Sequence, residues 1–154
     1  MPLVSLTELP PKGSLLGLDP GSTTIGVAGC DPGRMIATAL ETIARGKKLA
    51  PSLDRLFAVY DARQSVGLVM GLPINMDGTE GPRAQSARSL ARNILARRDI
   101  PLAFWDERLS TAGAERALLE ADTSRARRDE LIDKLAAAWI LQGAIDRLNE
   151  ASGR

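Results

Sequence analysis

Three acidic stretches carry the chemistry this sequence could do. Asp19 lies in Leu18-Asp19-Pro20-Gly21-Ser22-Thr23-Thr24. Asp106 and Glu107 open Asp106-Glu107-Arg108-Leu109-Ser110-Thr111. Asp133 lies in Glu130-Leu131-Ile132-Asp133-Lys134-Leu135-Ala136-Ala137. The chain has no histidine and one cysteine, Cys30. That excludes Ser-His-Asp and Cys-His catalysis, an intrachain disulfide and cysteine-rich zinc clusters. Carboxylates without histidine favour hard cations such as Mg²⁺ or Mn²⁺.

Each stretch has a plain reading beside the chemical one. Asp19 ends an apolar run, so it falls at a strand end, where α/β sheets bind ligands. Gly21 permits a sharp turn, and the amides and hydroxyls after it, with Ser22 among them, could hold a phosphate. An ordinary Asp-Pro-Gly turn fits the same residues. Gly21 and Gly26 have P-loop spacing, but Val27 and Ala28 stand where Lys and Ser/Thr are needed, which excludes a Walker-type site. Strand alternation lets one of Asp106 and Glu107 face the end of the first strand. Ser110 or Thr111 caps a helix. Asp133 precedes Ala136 and Ala137 by one turn, and small residues there allow a helix to approach a sheet closely. Glu130 is a candidate auxiliary ligand on a similar face. A solvated acid paired with an arginine is the plain alternative.

The loop Gly71-Leu72-Pro73-Ile74-Asn75-Met76-Asp77-Gly78 has the residues of a shaped turn. Basic residues cluster twice, at Arg83, Arg88, Arg92, Arg97 and Arg98, and at Arg125, Arg127 and Arg128. Sixteen of the 20 basic residues are arginine, the better bidentate phosphate partner. The first cluster also fits a solvated helix face; the second points to nucleic acid.

The elements that must position these residues follow from hydrophobic period. Strands are expected from Ser14, over Thr23–Gly29 and over Met35–Ile43, joined by the short turns at Asp19–Ser22 and Asp31–Gly33 as an antiparallel meander. Leu49, Leu53, Leu56, Phe57 and Tyr60 recur at helical spacing, predicting a helix over Lys47–Arg63. Val66–Met70 is a continuous apolar run suited to a buried parallel strand. A helix over Arg83–Arg98 and a strand over Pro101–Trp105 follow. A further helix should run from Ser110 or Thr111 to about Ala121. A polar loop, expected to be mobile, spans Asp122–Arg128, and a last helix runs from about Asp129 to Asn149. The expected fold is α/β, a mixed five-stranded sheet (a three-stranded antiparallel meander plus two parallel strands) flanked by helices. Residues 1–13 read as a flexible tail and 14–150 as one domain.

The chain has 154 residues, 44% hydrophobic and 25% charged, enough for one sizeable core. Its net charge is +1, so any grip on a polyanion must come from local patches. No apolar run approaches the about 18 residues of a membrane span, and the N-terminus has no signal-peptide pattern, so a cytoplasmic chain is expected.

Asp19-Pro20-Gly21, the Gly71-Leu72-Pro73…Asp77-Gly78 loop, Asp106–Thr111 and Asp133-x-x-Ala136-Ala137 together resemble the YqgF/RuvX family. These are bacterial Holliday-junction-resolvase-like proteins of the ribonuclease H-like fold. The resemblance runs from Ser14 to about Gln142. It implies a nuclease acting on structured nucleic acid, either maturing the 5′ end of pre-16S ribosomal RNA or cutting Holliday junctions and other branched DNA. It also implies that Asp19, Glu107 and Asp133 are catalytic ligands of Mg²⁺ or Mn²⁺. Two ions about 3.5–4 Å apart would flank the scissile phosphate, one activating water and the other stabilising the leaving oxygen. Gly21, Ser22, Arg108, Ser110, Thr111, Arg125, Arg127 and Arg128 would then contact substrate. Asp129 and Glu130, after the basic loop, depart from the family pattern. A resolvase would be a dimer, a processing nuclease a monomer or homodimer. Two rivals have a basis in the residues: a non-catalytic nucleic-acid-binding module, and a phosphate binder like the actin-type ATPases, which share the Asp-x-Gly-Ser/Thr-Thr turn but need two such domains.

Overall fold

Leu15, Leu16 and Leu18 are fully buried in β1 (Ser14–Pro20), a strand with no exposed residue. It is the central strand of a five-stranded sheet. β2 (Thr24–Cys30) pairs antiparallel with β1, and β3 (Ala37–Ala44) antiparallel with β2. β4 (Ser65–Leu72) pairs parallel with the other side of β1, and β5 (Leu102–Asp106) parallel with β4. The order is therefore β3-β2-β1-β4-β5, a meander joined to two parallel strands, as hydrophobic period and turn chemistry predict. The computed structural model describes residues 3–21, 23–109 and 125–151, and of residues 125–133 the backbone alone.

Strand alternation divides the core in two. Leu16, Leu18, Leu68 and Met70 pack under α1 (Ala50–Ala62) and α2 (Pro82–Arg97), which contribute Leu53, Leu56, Phe57, Ala87, Leu90 and Ile94. Leu15, Ala28, Val69 and Trp105 face the other way, against Ala137, Ile140, Leu141 and Ala144 of α3 (Arg125–Ala151). α3 runs antiparallel to β1. Its Ala137 and Leu141 lie on Gly17, while its far end reaches the β2–β3 turn, where Asn149 Nδ2 donates to Arg34 O at 2.9 Å. The N-terminal half of α3 therefore points to the rim where β1, β4 and β5 end.

Three expectations change. The segment read as a flexible tail touches the sheet: Leu3 bridges to Leu102, Val4 N–H donates to Leu102 O at 2.9 Å, and Leu9 is buried. It covers the open edge at β5, which would otherwise present unpaired backbone groups. β3 begins at Ala37 rather than Met35, because Asp31 Oδ1 accepts the amides of Met35 and Ile36 and draws them into the turn. The last helix begins at Arg125, so Arg125, Arg127 and Arg128 stand in helix and not in a loop. No Gly or Pro interrupts 121–142, and arginine and alanine favour helix. The helix expected between Ser110 and Ala121 lies outside the described residues.

Gly17 sets the spacing between α3 and the sheet. A methyl group on it would stand 2.7 Å from Leu141 Cβ and 2.9 Å from Ala137 O, both too close to be relieved by a rotamer change. Gly17→Ala should cost about 1–3 kcal/mol through overpacking. The thermal midpoint should fall by about 2–4 °C for each kcal/mol, measured by calorimetry.

Candidate functional site

The three strands running the same way end together. Asp19 is the next residue after the Leu18–Met70 pair, so it stands beside Gly71 of β4. Gly71 pairs in turn with Trp105 of β5, two residues before Glu107. Asp19 is 1% exposed, an unusual burial for a carboxylate. It shares the face of Gly17 and Gly71, under α3.

Glu107 reaches the same place from the short 3-10 turn Glu107–Leu109. Its Oε2 lies 3.2 Å from where a Cβ on Gly71 would be. Gly71 is thus a bare floor between two acids, Asp19 on the neighbouring strand and Glu107 above it. Asp19 Oδ1 and Glu107 Oε2 are sealed from solvent, and among the described residues no hydrogen bond reaches either of these two oxygens, while other interactions engage both residues. Asp106 is turned elsewhere. Arg108 Nη2 donates to its Oδ2 at 2.7 Å, and the Arg108 amide donates to its Oδ1 at 3.0 Å. The Arg108 guanidinium holds the Asp106 carboxyl below its ordinary pKa.

Asp133 enters through the backbone of α3. It lies four residues, about 6 Å, before Ala137, which touches Gly17. Asp19 lies two strand residues, about 6.6 Å, beyond Gly17 in the same direction. The Asp133 backbone is therefore level with Asp19; its side chain is outside the described residues. Among the described residues no group of three His, Cys, Asp or Glu side chains could hold a metal ion, and Asp19 and Glu107 are the two that flank one floor. That pair offers oxygen donors only, with no nitrogen or sulfur ligand beside them among the described residues, a set that fits a hard divalent cation.

The remaining candidates divide. Gly21 N–H donates to Thr24 O at 2.8 Å, so its amide serves the turn. Arg108 is paired with Asp106 rather than held open for a phosphate. Ser22, Ser110 and Thr111, and the side chains of Arg125, Arg127 and Arg128, lie outside the described residues. On α2 and at its C-terminal cap, Arg88 pairs with Glu80, Arg97 with Asp54 and Arg98 with Asp61, so much of that basic cluster is neutralised internally. The Glu80–Arg88 pair also braces the Gly71–Pro82 loop, whose tip is a tight turn closed by Asn75 N–H to Thr79 O at 2.8 Å. Sequence reasoning missed Gly71 as the floor. The available signal was a glycine ending an apolar strand, a mark of close approach.

A family model described as RuvX, Holliday junction resolvase, matches residues 13–147. A protein named "Putative pre-16S rRNA nuclease" from Bradyrhizobium sp. (strain BTAi1 / ATCC BAA-1182) is 55% identical over 149 residues, covering 96% of this chain and 92% of that one. Another of that name from Cereibacter sphaeroides (strain KD131 / KCTC 12085) is 57% identical over 144 residues, covering 94% and 89%. Among solved structures, T. thermophilus RuvC in complex with Holliday junction substrate has a TM-score of 0.51 at 14% identity. It covers 92% of this chain and 96% of that one, and at that identity it shows the shared fold alone.

A methyl group on Gly71 would meet Ile140 Cδ1 at 2.5 Å and Glu107 Oε2 at 3.2 Å. The isoleucine tip can swing away; the carboxylate must shift by a few tenths of an ångström. Gly71→Ala should therefore weaken Mn²⁺ binding by roughly 10- to 100-fold, the range for disturbing the support of a metal ligand. Titration calorimetry checks this, with an unfolding scan showing that the fold is retained.

Proposed function

This chain belongs to the RuvX Holliday junction resolvase family and is a nuclease acting on nucleic acid, and we propose that it cleaves ribosomal RNA precursor at a divalent-metal site held by Asp19, Glu107 and Asp133. The observation that carries the site is the rim itself. The buried Asp19 carboxylate and the half-buried Glu107, whose Oε2 is sealed from solvent, flank the bare backbone of Gly71, and the α3 backbone brings a third acidic residue level with them. The substrate rests on the relatives above 50% identity, which are named for the pre-16S precursor. Cleavage of branched DNA is the second reading, favoured by the description of the matching family. A ribosomal precursor as substrate goes with a place in the cytoplasm. Among the described residues no helix is long and apolar enough to cross a membrane.

The chain's own residues divide the work. Asp19 and Glu107 fix negative charge at the end of the parallel strands, where backbone hydrogen bonds to β2 and β4 hold Asp19 and its neighbours rigid. Mg²⁺ or Mn²⁺ held there would neutralise the scissile phosphate and lower the pKa of the attacking water. Arg108 ties Asp106 down and so keeps the two adjacent carboxylates on separate tasks. Arg125, Arg127 and Arg128 begin α3, whose N-terminal half runs towards the rim, and on this reading would meet flanking phosphates.

Asp19→Asn keeps the shape and removes a charged ligand. It should lower cleavage by at least roughly 100-fold, a few kcal/mol of transition-state stabilisation, with the melting temperature retained. Near-normal turnover in excess Mn²⁺ would overturn the site. Glu107→Gln should lose activity to a similar degree and Asp106→Asn far less; the reverse order would reassign the ligand. A panel of pre-16S RNA, a four-way DNA junction and plain single and double strands, with Mg²⁺ and with Mn²⁺, decides the substrate.

A further inference from the structure

Arg45 follows the last residue of β3 and touches the β1–β2 connection twice. Its backbone N–H donates to Thr23 O at 2.8 Å. Its Nη1 donates to Gly21 O at 2.7 Å and to Ser86 Oγ, on α2, at 3.2 Å. Both side-chain acceptors are neutral. Arg55, Arg88, Arg97, Arg98 and Arg108 are different, each lying 2.5–3.0 Å from a carboxylate. Among the described residues no carboxylate pairs with Arg45. Burial alone pushes its guanidinium below the ordinary value, with no acid to raise it, and arginine remains charged at any physiological pH.

The fold therefore half-buries a positive charge and supplies dipoles but no counter-charge. A desolvated ion is costly unless an opposite charge meets it. Two nitrogens, Nε and Nη2, bond no atom of the described residues and are not sealed from solvent. They form one edge of the planar fork that matches two oxygens of a phosphate. The anchor point, Gly21, is two residues from Asp19 at the same end of β1; Ser86 puts the guanidinium on the α2 side of that rim, while Asp19 faces α3. We infer that Arg45 is a substrate-contact residue, whose Nε and Nη2 hold a phosphodiester group of the bound strand other than the one cleaved while Nη1 stays anchored on Gly21 and Ser86. This rests on the reading of the Asp19–Glu107 rim as the cleavage site. It also gives a chain of net charge +1 a local positive site for a polyanion, one that internal ion pairs leave open.

The test separates contact from a purely structural latch on the turn. Binding of a fluorescein-labelled pre-16S RNA fragment is followed by anisotropy without divalent metal, at several salt concentrations. Arg45→Gln keeps a donor for Gly21 O and removes the charge. It should weaken binding roughly tenfold, as for loss of a hydrogen bond to a charged group. The slope of log K against log salt should flatten by about 0.7 on single-stranded and about 0.9 on duplex segments, one phosphate's worth. Arg45→Lys should restore the slope. An unchanged slope in a folded Arg45→Gln protein, even with cleavage reduced, makes Arg45 a latch and overturns the inference. Should Arg45→Gln not fold, phenylglyoxal modification of the wild-type protein, read by mass spectrometry, decides: bound RNA should protect Arg45, and equal modification with and without RNA overturns it. The two readings fail separately. Loss of cleavage in Asp19→Asn with no slope change at Arg45 removes the contact alone. A slope change at Arg45 with Asp19→Asn still active removes the cleavage site and leaves Arg45 a contact elsewhere.

Discussion

The close approach of α3 to the sheet governs this molecule. At Gly17 the helix backbone lies so near that a single methyl group would collide with Ala137 O and Leu141 Cβ. At Gly71 the same face is bare, and Ile140 and Glu107 Oε2 fill the space a side chain would take. Two strands thus present backbone, not side chains, to the helix. The helix can sink onto the sheet, and the residues beyond the glycines, Asp19 and Glu107, come together at the rim. Buried carboxylates are expensive in isolation. Asp19 is sustained here because β1, which carries it, is paired on both sides, and the β4–β5 pairing holds the turn that carries Glu107 beside it.

Charge is arranged around that rim with similar economy. Most of the arginines on α2 and its borders are spent on ion pairs that brace the fold: Arg88 on the Gly71–Pro82 loop, Arg97 and Arg98 on α1. Exposed pairs of this kind add little stability each. Their larger consequence is that they remove positive charge from the surface away from the rim. Arg108 shows the same division, since its pairing with Asp106 selects which of two adjacent acids faces the floor.

Much of this was legible in the sequence. The meander, the two parallel strands and α1 and α2 follow from period and turn residues, because local patterning alone decides them. The order of motifs around Asp19, Gly71, Asp106 and Asp133 was enough to indicate the family. Misjudgements arose where a distant partner decides. The N-terminal residues look loose until β5 offers an edge to pair with, β3 starts late because the Asp31 side chain captures two amides, and α3 starts early because nothing in 121–128 breaks a helix.

The sequence by itself determined which residue types could do chemistry: carboxylates and arginines, with no histidine at all. It also determined that the strands and helices would alternate as they do, since hydrophobic period is a property of neighbours along the chain. Tertiary structure alone decided that Glu107 rather than Asp106 lies over Gly71, that Gly71 is a floor and not merely a strand end, and that Arg45 has no acidic partner among the described residues while Arg88 has one. Those facts depend on which atoms meet across strands far apart in sequence, and the distances that decide them are set by packing between elements, about which a one-dimensional pattern is silent.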